Sequence, residues 1–268
     1  MSITALLIDL DGVLYEGERP VPGAAEAVGW IQERGIPHLF LTNTTSRPRP
    51  ALVEKLAAMG VVTDEAHLFT PPVAARQWLE AHQALPAALF VPPATAAEFD
   101  GLPLAGESAE EAGAVVVGDL GEGWRFERLN RAFRLLMAGP DTPLVALGLT
   151  RYWRAPDGLR LDVGPFVKAL EYATDRRAQV LGKPDRAFFQ AALARLGSRP
   201  EETAMVGDDI RGDIQGAQEA GIAGVLVRTG KFLPRDLTLG IHPLAVLDSV
   251  AELPRRWPFE APSSFRKR

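Results

Sequence analysis

The sequence predicts an α/β protein with a Rossmann-like core, a parallel sheet whose chain is interrupted by a second, inserted α/β unit. Three observations predict this. Short apolar runs recur along the 268 residues, too short for helices and too continuous for half-exposed strands, as expected of strands covered on both faces. Segments with helical apolar spacing separate them. Chemistry-bearing polar residues gather directly after several of these runs, at the strand ends where ligands of open α/β sheets bind.

Residues 5–8 (Ala-Leu-Leu-Ile) form the first such run and deliver Asp9, Asp11 and Gly12. A helix over 22–34 follows, with Ala24, Ala27, Val28 and Ile31 on one face, Pro22 at its start and Gly35 as its stop. A second strand over 36–41 ends in Thr42-Asn43-Thr44-Thr45-Ser46, small hydroxyl and amide groups that suit phosphate oxygens or, equally, a polar turn or helix cap. A helix over 49–59 comes next. From Pro71 the texture changes: helix 73–83, strand 87–91, a stretch rich in Pro, Ala, Gly and acids to Glu111, strand 114–117, helix 125–137, strand 144–147, an unassigned segment 150–162, and helix 165–174. Strand 179–181 then leads into Gly182-Lys183-Pro184 and a helix over 186–196. Strand 204–206 leads into Gly207-Asp208-Asp209-Ile210-Arg211-Gly212-Asp213. Helix 213–220, strand 224–227, Arg228-Thr229-Gly230-Lys231, a final helical stretch over 246–253 and a frayed, solvated tail with Arg266-Lys267-Arg268 complete the chain.

Two carboxylates one residue apart divide the labour of hydrolysis: Asp9 as nucleophile, Asp11 as the acid that protonates a leaving group. A carboxylate attacking a phosphate dianion needs its charge neutralised. Lys183 and a divalent cation held by the acids of 208–213 would supply this, and Mg²⁺ prefers such oxygen ligands. Each piece also has an ordinary reading: an Asp-Gly turn, a solvated lysine, an acidic helix N-terminus.

A net charge of −5 argues against nucleic-acid and anionic-membrane partners, and 47% hydrophobic residues suffice for a core. The absence of Cys excludes disulfides, thiolate metal sites and cysteine nucleophiles. With no targeting segment or membrane-length apolar run, a cytoplasmic location and a small-molecule substrate are expected. His38, His67, His82 and His242 have no paired metal spacing and read as structural or surface residues.

Taken together, Asp9-Leu-Asp11-Gly12, Thr42-Asn43, Gly182-Lys183-Pro184 and Gly207-Asp208-Asp209 with Asp213 resemble the four ordered motifs of the haloacid dehalogenase superfamily of phosphohydrolases, and the long insertion resembles the α/β cap of its subclass IIA. Arg151-Tyr152-Trp153, the 161–165 and 168–173 stretches and Arg228-Thr229-Gly230-Lys231 resemble the phospholysine phosphohistidine inorganic pyrophosphate phosphatases. The resemblance implies a core of 1–74 and 183–268 with a cap of 75–182. It implies Asp9 as nucleophile, Asp11 as general acid/base, and Thr42, Asn43 and Lys183 on the phosphoryl group. Mg²⁺ would be held by Asp9, the carbonyl of Asp11 and Asp208, with Asp209 and Asp213 orienting its waters. Arg151 is the first cap residue to consider for substrate binding, although the Arg-Tyr-Trp segment has packing within the cap as its ordinary reading. The expected activity is Mg²⁺-dependent hydrolysis of small phosphorylated metabolites through an aspartyl-phosphate. Phosphoramidate or pyrophosphate hydrolysis and a non-catalytic phosphate-binding protein are the alternatives. A dehalogenase would need neither Asp11 nor the acidic cluster. A homodimer through the cap is compatible with the subclass. Thr-Asn-Thr departs from relatives that place a second Asn or a Glu after Thr-Asn, which leaves the role of Thr44 open.

Overall fold

The computed structural model describes residues 2–155 and 157–260; the tail expected to be frayed lies outside the described residues. The chain divides into two units. Unit 1 comprises the residues up to Thr42, Arg49–Phe69 and those from Lys183 onward; unit 2 comprises Asn43–Pro48 and Thr70–Gly182.

In chain order the strands are β1 (Ala5–Asp9), β2 (Tyr15–Glu16), β3 (Arg19–Pro20), β4 (His38–Leu41), β5 (Leu68–Phe69), β6 (Ala87–Phe90), β7 (Ala114–Val117), β8 (Leu144–Ala146), β9 (Tyr152–Ala155), β10 (Gly158–Leu161), β11 (Gln179–Val180), β12 (Thr203–Gly207), β13 (Ala223–Val227) and β14 (Ala245–Leu247).

In unit 1 a six-stranded sheet has the order β14-β13-β12-β1-β4-β5, every pair parallel. Side chains alternate between its faces. Leu6, Ile8, Phe40, Val206 and Val225 pack with Val28 and Ile31 of helix Ala24–Glu33 and with Leu52 and Leu56 of helix Arg49–Ala58. Leu7, Leu39, Leu41 and Met205 are buried as well, and Phe69 lies 5.2 Å from Phe188 of helix Arg186–Leu196. Burial of both faces is why these strands read as unbroken apolar runs rather than alternating ones.

Two expectations need correction, and one unassigned segment gains its structure. The helix expected over 246–253 begins as β14, whose Val246 and Leu247 pair with Leu226 and Val227 at the sheet edge; helical turns follow only at Val250–Glu252 and Leu253–Arg256. Apolar residues at 246, 247, 250 and 253 imitate a helical face, and three strand residues are too few to display a period of two. The helix expected from Asp213 starts earlier, as a wide π-helical turn over Ile210–Gln215 that continues into Gly216–Glu219. The segment 150–162 contains β9 and β10, which pair antiparallel with Trp153 opposite Arg160. The residues of β10 from Leu159 to Leu161 are exposed, so no buried face imprints an alternating pattern on the sequence.

Unit 2 holds a four-stranded parallel sheet in the order β11-β8-β7-β6. Phe90, Val115 and Val117 pack with Leu135 and Leu136 of helix Phe126–Ala138 and with Val167 and Leu170 of helix Val163–Thr174. Among the described residues, no helix is long and apolar enough to cross a membrane.

Candidate active site

The sheet of unit 1 brings its polar strand ends to one level. Asp9 is in register with Leu41, Ile8 with Val206, and Gly207 with Leu226, so β1, β12 and β13 stop together. From β1 the chain runs outward through β4 and β5 on one side and returns through β12, β13 and β14 on the other. Asp9 therefore ends a strand beside the topological switch point, where the crevice of an open α/β sheet lies.

Lys183 precedes helix Arg186–Leu196, whose start is fixed by the Asp185 carboxylate accepting from the Ala187 N–H at 2.9 Å and whose end is the left-handed Gly197. The lysine is only 8% exposed. Its Nζ lies 2.7 Å from Asp9 Oδ1 and 2.6 Å from Asp213 Oδ1, which replaces the solvated-lysine reading with a buried ion triad. Burial alone would lower the pKa of Lys183, but Asp213 and Asp9 outweigh it and hold the ammonium above its ordinary value.

Asp213 is delivered by the π-helical turn. Asp209 caps that turn by accepting from the Arg211 and Gly212 N–H groups at 3.0 and 2.9 Å, while its own N–H donates to Asp213 Oδ2 at 3.1 Å. Wide turns of this kind often mark functional sites.

Asp208 is 1% exposed, and its two oxygens have different surroundings. Oδ2 accepts from the Lys231 N–H at 2.6 Å, whereas Oδ1 is buried without a hydrogen-bond partner among the described residues. Gly12 (φ +89°) and Gly230 (φ +64°) close over it; a Cβ on either would stand 2.0 or 2.1 Å from Asp208 Oδ2. Both positions therefore need glycine for two reasons, backbone conformation and space.

Asp9, Asp208 and Asp213 each offer a carboxylate oxygen, and these oxygens lie within 4.8 Å of one another. Desolvation pushes all three pKa values up, those of Asp208 and Asp213 to about 6. When ionised, three carboxylates and the one ammonium of Lys183 leave two negative charges in a buried space. That surplus and the orphaned Asp208 Oδ1 fit a hard divalent cation with oxygen ligands.

The remaining expected residues have other surroundings. Asp11 is exposed, with Oδ1 3.5 Å from the Gly17 N–H. Thr42 is buried just after β4, and its N–H donates to Phe69 O at 3.3 Å. Asn43 belongs to unit 2, where it lines a cavity of about 360 Å³ with Thr44, Asp119, Trp153 and Asp162. Arg151 is exposed and sits 5.8 Å from the Tyr152 ring centroid. Tyr152 and Trp153 are 52% and 42% exposed, so they are not the core residues that their ordinary reading makes them. Sequence reasoning assigned no role to Glu16, Thr229, Gly230 or Lys231, although the glycine after β13, set between Thr and Lys, was the available signal.

A haloacid dehalogenase-like hydrolase family model matches residues 6–102, and a HAD-hydrolase-like model matches 180–253. Haloacid dehalogenase-like hydrolase domain-containing protein 2 of Bos taurus is 42% identical over 235 residues, 88% of each chain. The chain belongs to the haloacid dehalogenase-like hydrolases. The phospholysine phosphohistidine inorganic pyrophosphate phosphatase of Danio rerio is 39% identical over 88% of this chain and 86% of its own. Among solved structures, the p-nitrophenyl phosphatase of Archaeoglobus fulgidus superimposes with a TM-score of 0.83 at 26% identity, over 94% of this chain and 98% of that one. NagD from E. coli K-12 gives 0.81 at 26% identity, over the same shares. This hydrolase thus has the subclass IIA architecture of a parallel-sheet core with an inserted α/β cap, and its structural neighbours include phosphatases.

Proposed function

We propose that this family member is a Mg²⁺-dependent phosphatase that hydrolyses small phosphorylated metabolites through an aspartyl-phosphate on Asp9. One observation carries the reading: Asp9, held by Lys183 at 2.7 Å, belongs to a buried group of three carboxylates in which Asp208 Oδ1 has no hydrogen-bond partner among the described residues.

Asp9, the carbonyl of Asp11 and Asp208 would hold the cation, with Asp209 and Asp213 orienting its waters. A bound divalent cation supplies positive charge between the carboxylates and the phosphoryl oxygens. Lys183 adds a fixed positive charge that needs no reorganisation during the reaction. The Oδ2 of Asp9 attacks phosphorus as the bond to the leaving oxygen breaks, and Asp11, two residues beyond the end of β1, donates the proton that oxygen requires. Water then attacks the acyl-phosphate and gives its proton to Asp11, releasing inorganic phosphate and restoring Asp9. Thr42 and Asn43 would hold phosphoryl oxygens. Substrate choice would fall to the cap, with Arg151 as its first candidate.

The printed name of the Danio rerio relative supports including P–N and pyrophosphate compounds among the substrates. The test is phosphate release from monoesters, phosphoramidates and pyrophosphate, with Mg²⁺ or with excess chelator. Release only with Mg²⁺, lost in Asp9→Asn protein that keeps its fold, is the expected result. Full activity in chelator, or turnover by pure Asp9→Asn protein, overturns the mechanism; binding of phosphate compounds without release favours the non-catalytic alternative.

A further inference from the structure

The Asp208 carboxylate has two chemically equivalent oxygens, and something must decide which one turns toward the cluster. That choice is made outside the four motifs. Oδ2 is held at 2.6 Å by the N–H of Lys231, in the loop that follows β13. Gly230, one residue earlier, donates its N–H to Glu16 Oε1 at 2.8 Å. Thr229 donates its hydroxyl to the carbonyl of Gly12. Three successive residues thus fasten to three places: the turn after β1, the β2–β3 hairpin and Asp208 itself. The hairpin is joined to the same turn, because the Gly12 N–H donates to Tyr15 O at 2.6 Å.

We infer that Glu16 and Thr229 are positioning residues for the cation site: they lock the 229–231 loop against the turn after β1, so that the Lys231 N–H fixes Asp208 Oδ2 and leaves Oδ1 directed to the cation. The inference rests on the reading that Asp208 helps to hold a divalent cation. The packing leaves the loop little alternative, since the position of a Cβ on Gly230 is 2.5 Å from Gly12 Cα. Glu16 itself is exposed, so its removal leaves the apolar core of unit 1 untouched. What it supplies is an acceptor at one place, and an amide oxygen would serve as well as a carboxylate.

The test titrates the metal-free full-length protein with Mn²⁺, followed by the paramagnetic resonance of the free ion, for wild type, Glu16→Ala, Glu16→Gln and Thr229→Val, with thermal unfolding recorded for each. Glu16→Ala and Thr229→Val should each weaken Mn²⁺ binding about three- to tenfold, the equivalent of one lost hydrogen bond. Their unfolding temperatures without metal should stay near that of wild type, and Glu16→Gln should retain wild-type affinity. The same order should recur in the Mg²⁺ concentration giving half-maximal phosphatase activity. Wild-type affinity in both Glu16→Ala and Thr229→Val overturns the inference, as does a Glu16→Gln variant as weak as Glu16→Ala. Wild-type protein that binds no Mn²⁺ overturns the cation reading beneath it.

Discussion

Lys183 concentrates the residue-scale energetics of the site. An ammonium locked between Asp9 and Asp213 is shared by two carboxylates that burial already penalises. Removing one member of such a buried group leaves the others uncompensated, so Lys183→Ala should cost about 3–5 kcal/mol of stability, read by denaturant unfolding of the metal-free protein. It should also depress kcat/KM for all substrates by comparable factors, because in the proposed mechanism it meets the phosphoryl group common to them. The role proposed for Asp11 is different. Asp11→Asn should slow alkyl phosphates far more than nitrophenyl phosphate, whose leaving group needs little protonation; equal losses would count against its acid role. Gly230→Ala would force a methyl group to within 2.1 Å of Asp208 Oδ2, and calorimetry should find its divalent-cation binding abolished.

Among the elements, β4 carries a pH dependence of its own. His38 is buried on it, with Nδ1 2.8 Å from Ile36 O, Nε2 without a hydrogen-bond partner among the described residues and its ring 5.1 Å from that of His67. Burial lowers its pKa below the usual 6.5. The unfolded chain therefore takes up a proton at a higher pH than the folded one does. The stability associated with neutral His38 is complete above about pH 6.5 and declines as pH falls from there through the lower folded value. Replacing the imidazole in His38→Phe should flatten the difference in unfolding free energy between pH 8 and pH 5.5. An undiminished difference would assign the acid sensitivity to other groups. On the opposite face of the sheet, helix Arg186–Leu196 is anchored by Phe188, which is fully buried against Phe69. Phe188→Ala should cost about 3–5 kcal/mol, because that site cannot collapse without moving the helix that follows Lys183.

At the scale of the whole molecule, the division into two units would, under the proposed function, separate two kinds of recognition. The buried acids and Lys183 all belong to unit 1, and Arg151, Tyr152 and Trp153 all belong to unit 2. Groups that meet only the phosphoryl centre cannot distinguish leaving groups, so Arg151→Ala should change the ratio of kcat/KM values between substrates with different leaving groups. A uniform loss would move the search to another part of the cap. Cation binding should also be visible in the folding of the whole chain. Mg²⁺ at a hundredfold excess over its Kd should stabilise the protein by about 2.7 kcal/mol, an effect that a chelator reverses. Calorimetric scans with and without chelator measure it directly.

The amino-acid sequence by itself determined the order of the motifs and most of the strands of both sheets. Burial on two faces forces a parallel strand to be apolar throughout, and the polar residues Asp9, Thr42, Lys183 and Asp208 mark where such runs stop. Where that imprint is missing, the sequence was silent or misleading: the exposed β10 strand has no buried face, and β14 is too short to show a period. Tertiary structure decided which charges meet. Lys183 joins residues 9 and 213, and Lys231, Gly230 and Thr229 close on residues 208, 16 and 12 through contacts that cross the chain. No local pattern encodes such pairings, because they arise only when strands far apart in the chain are aligned by the register of one sheet.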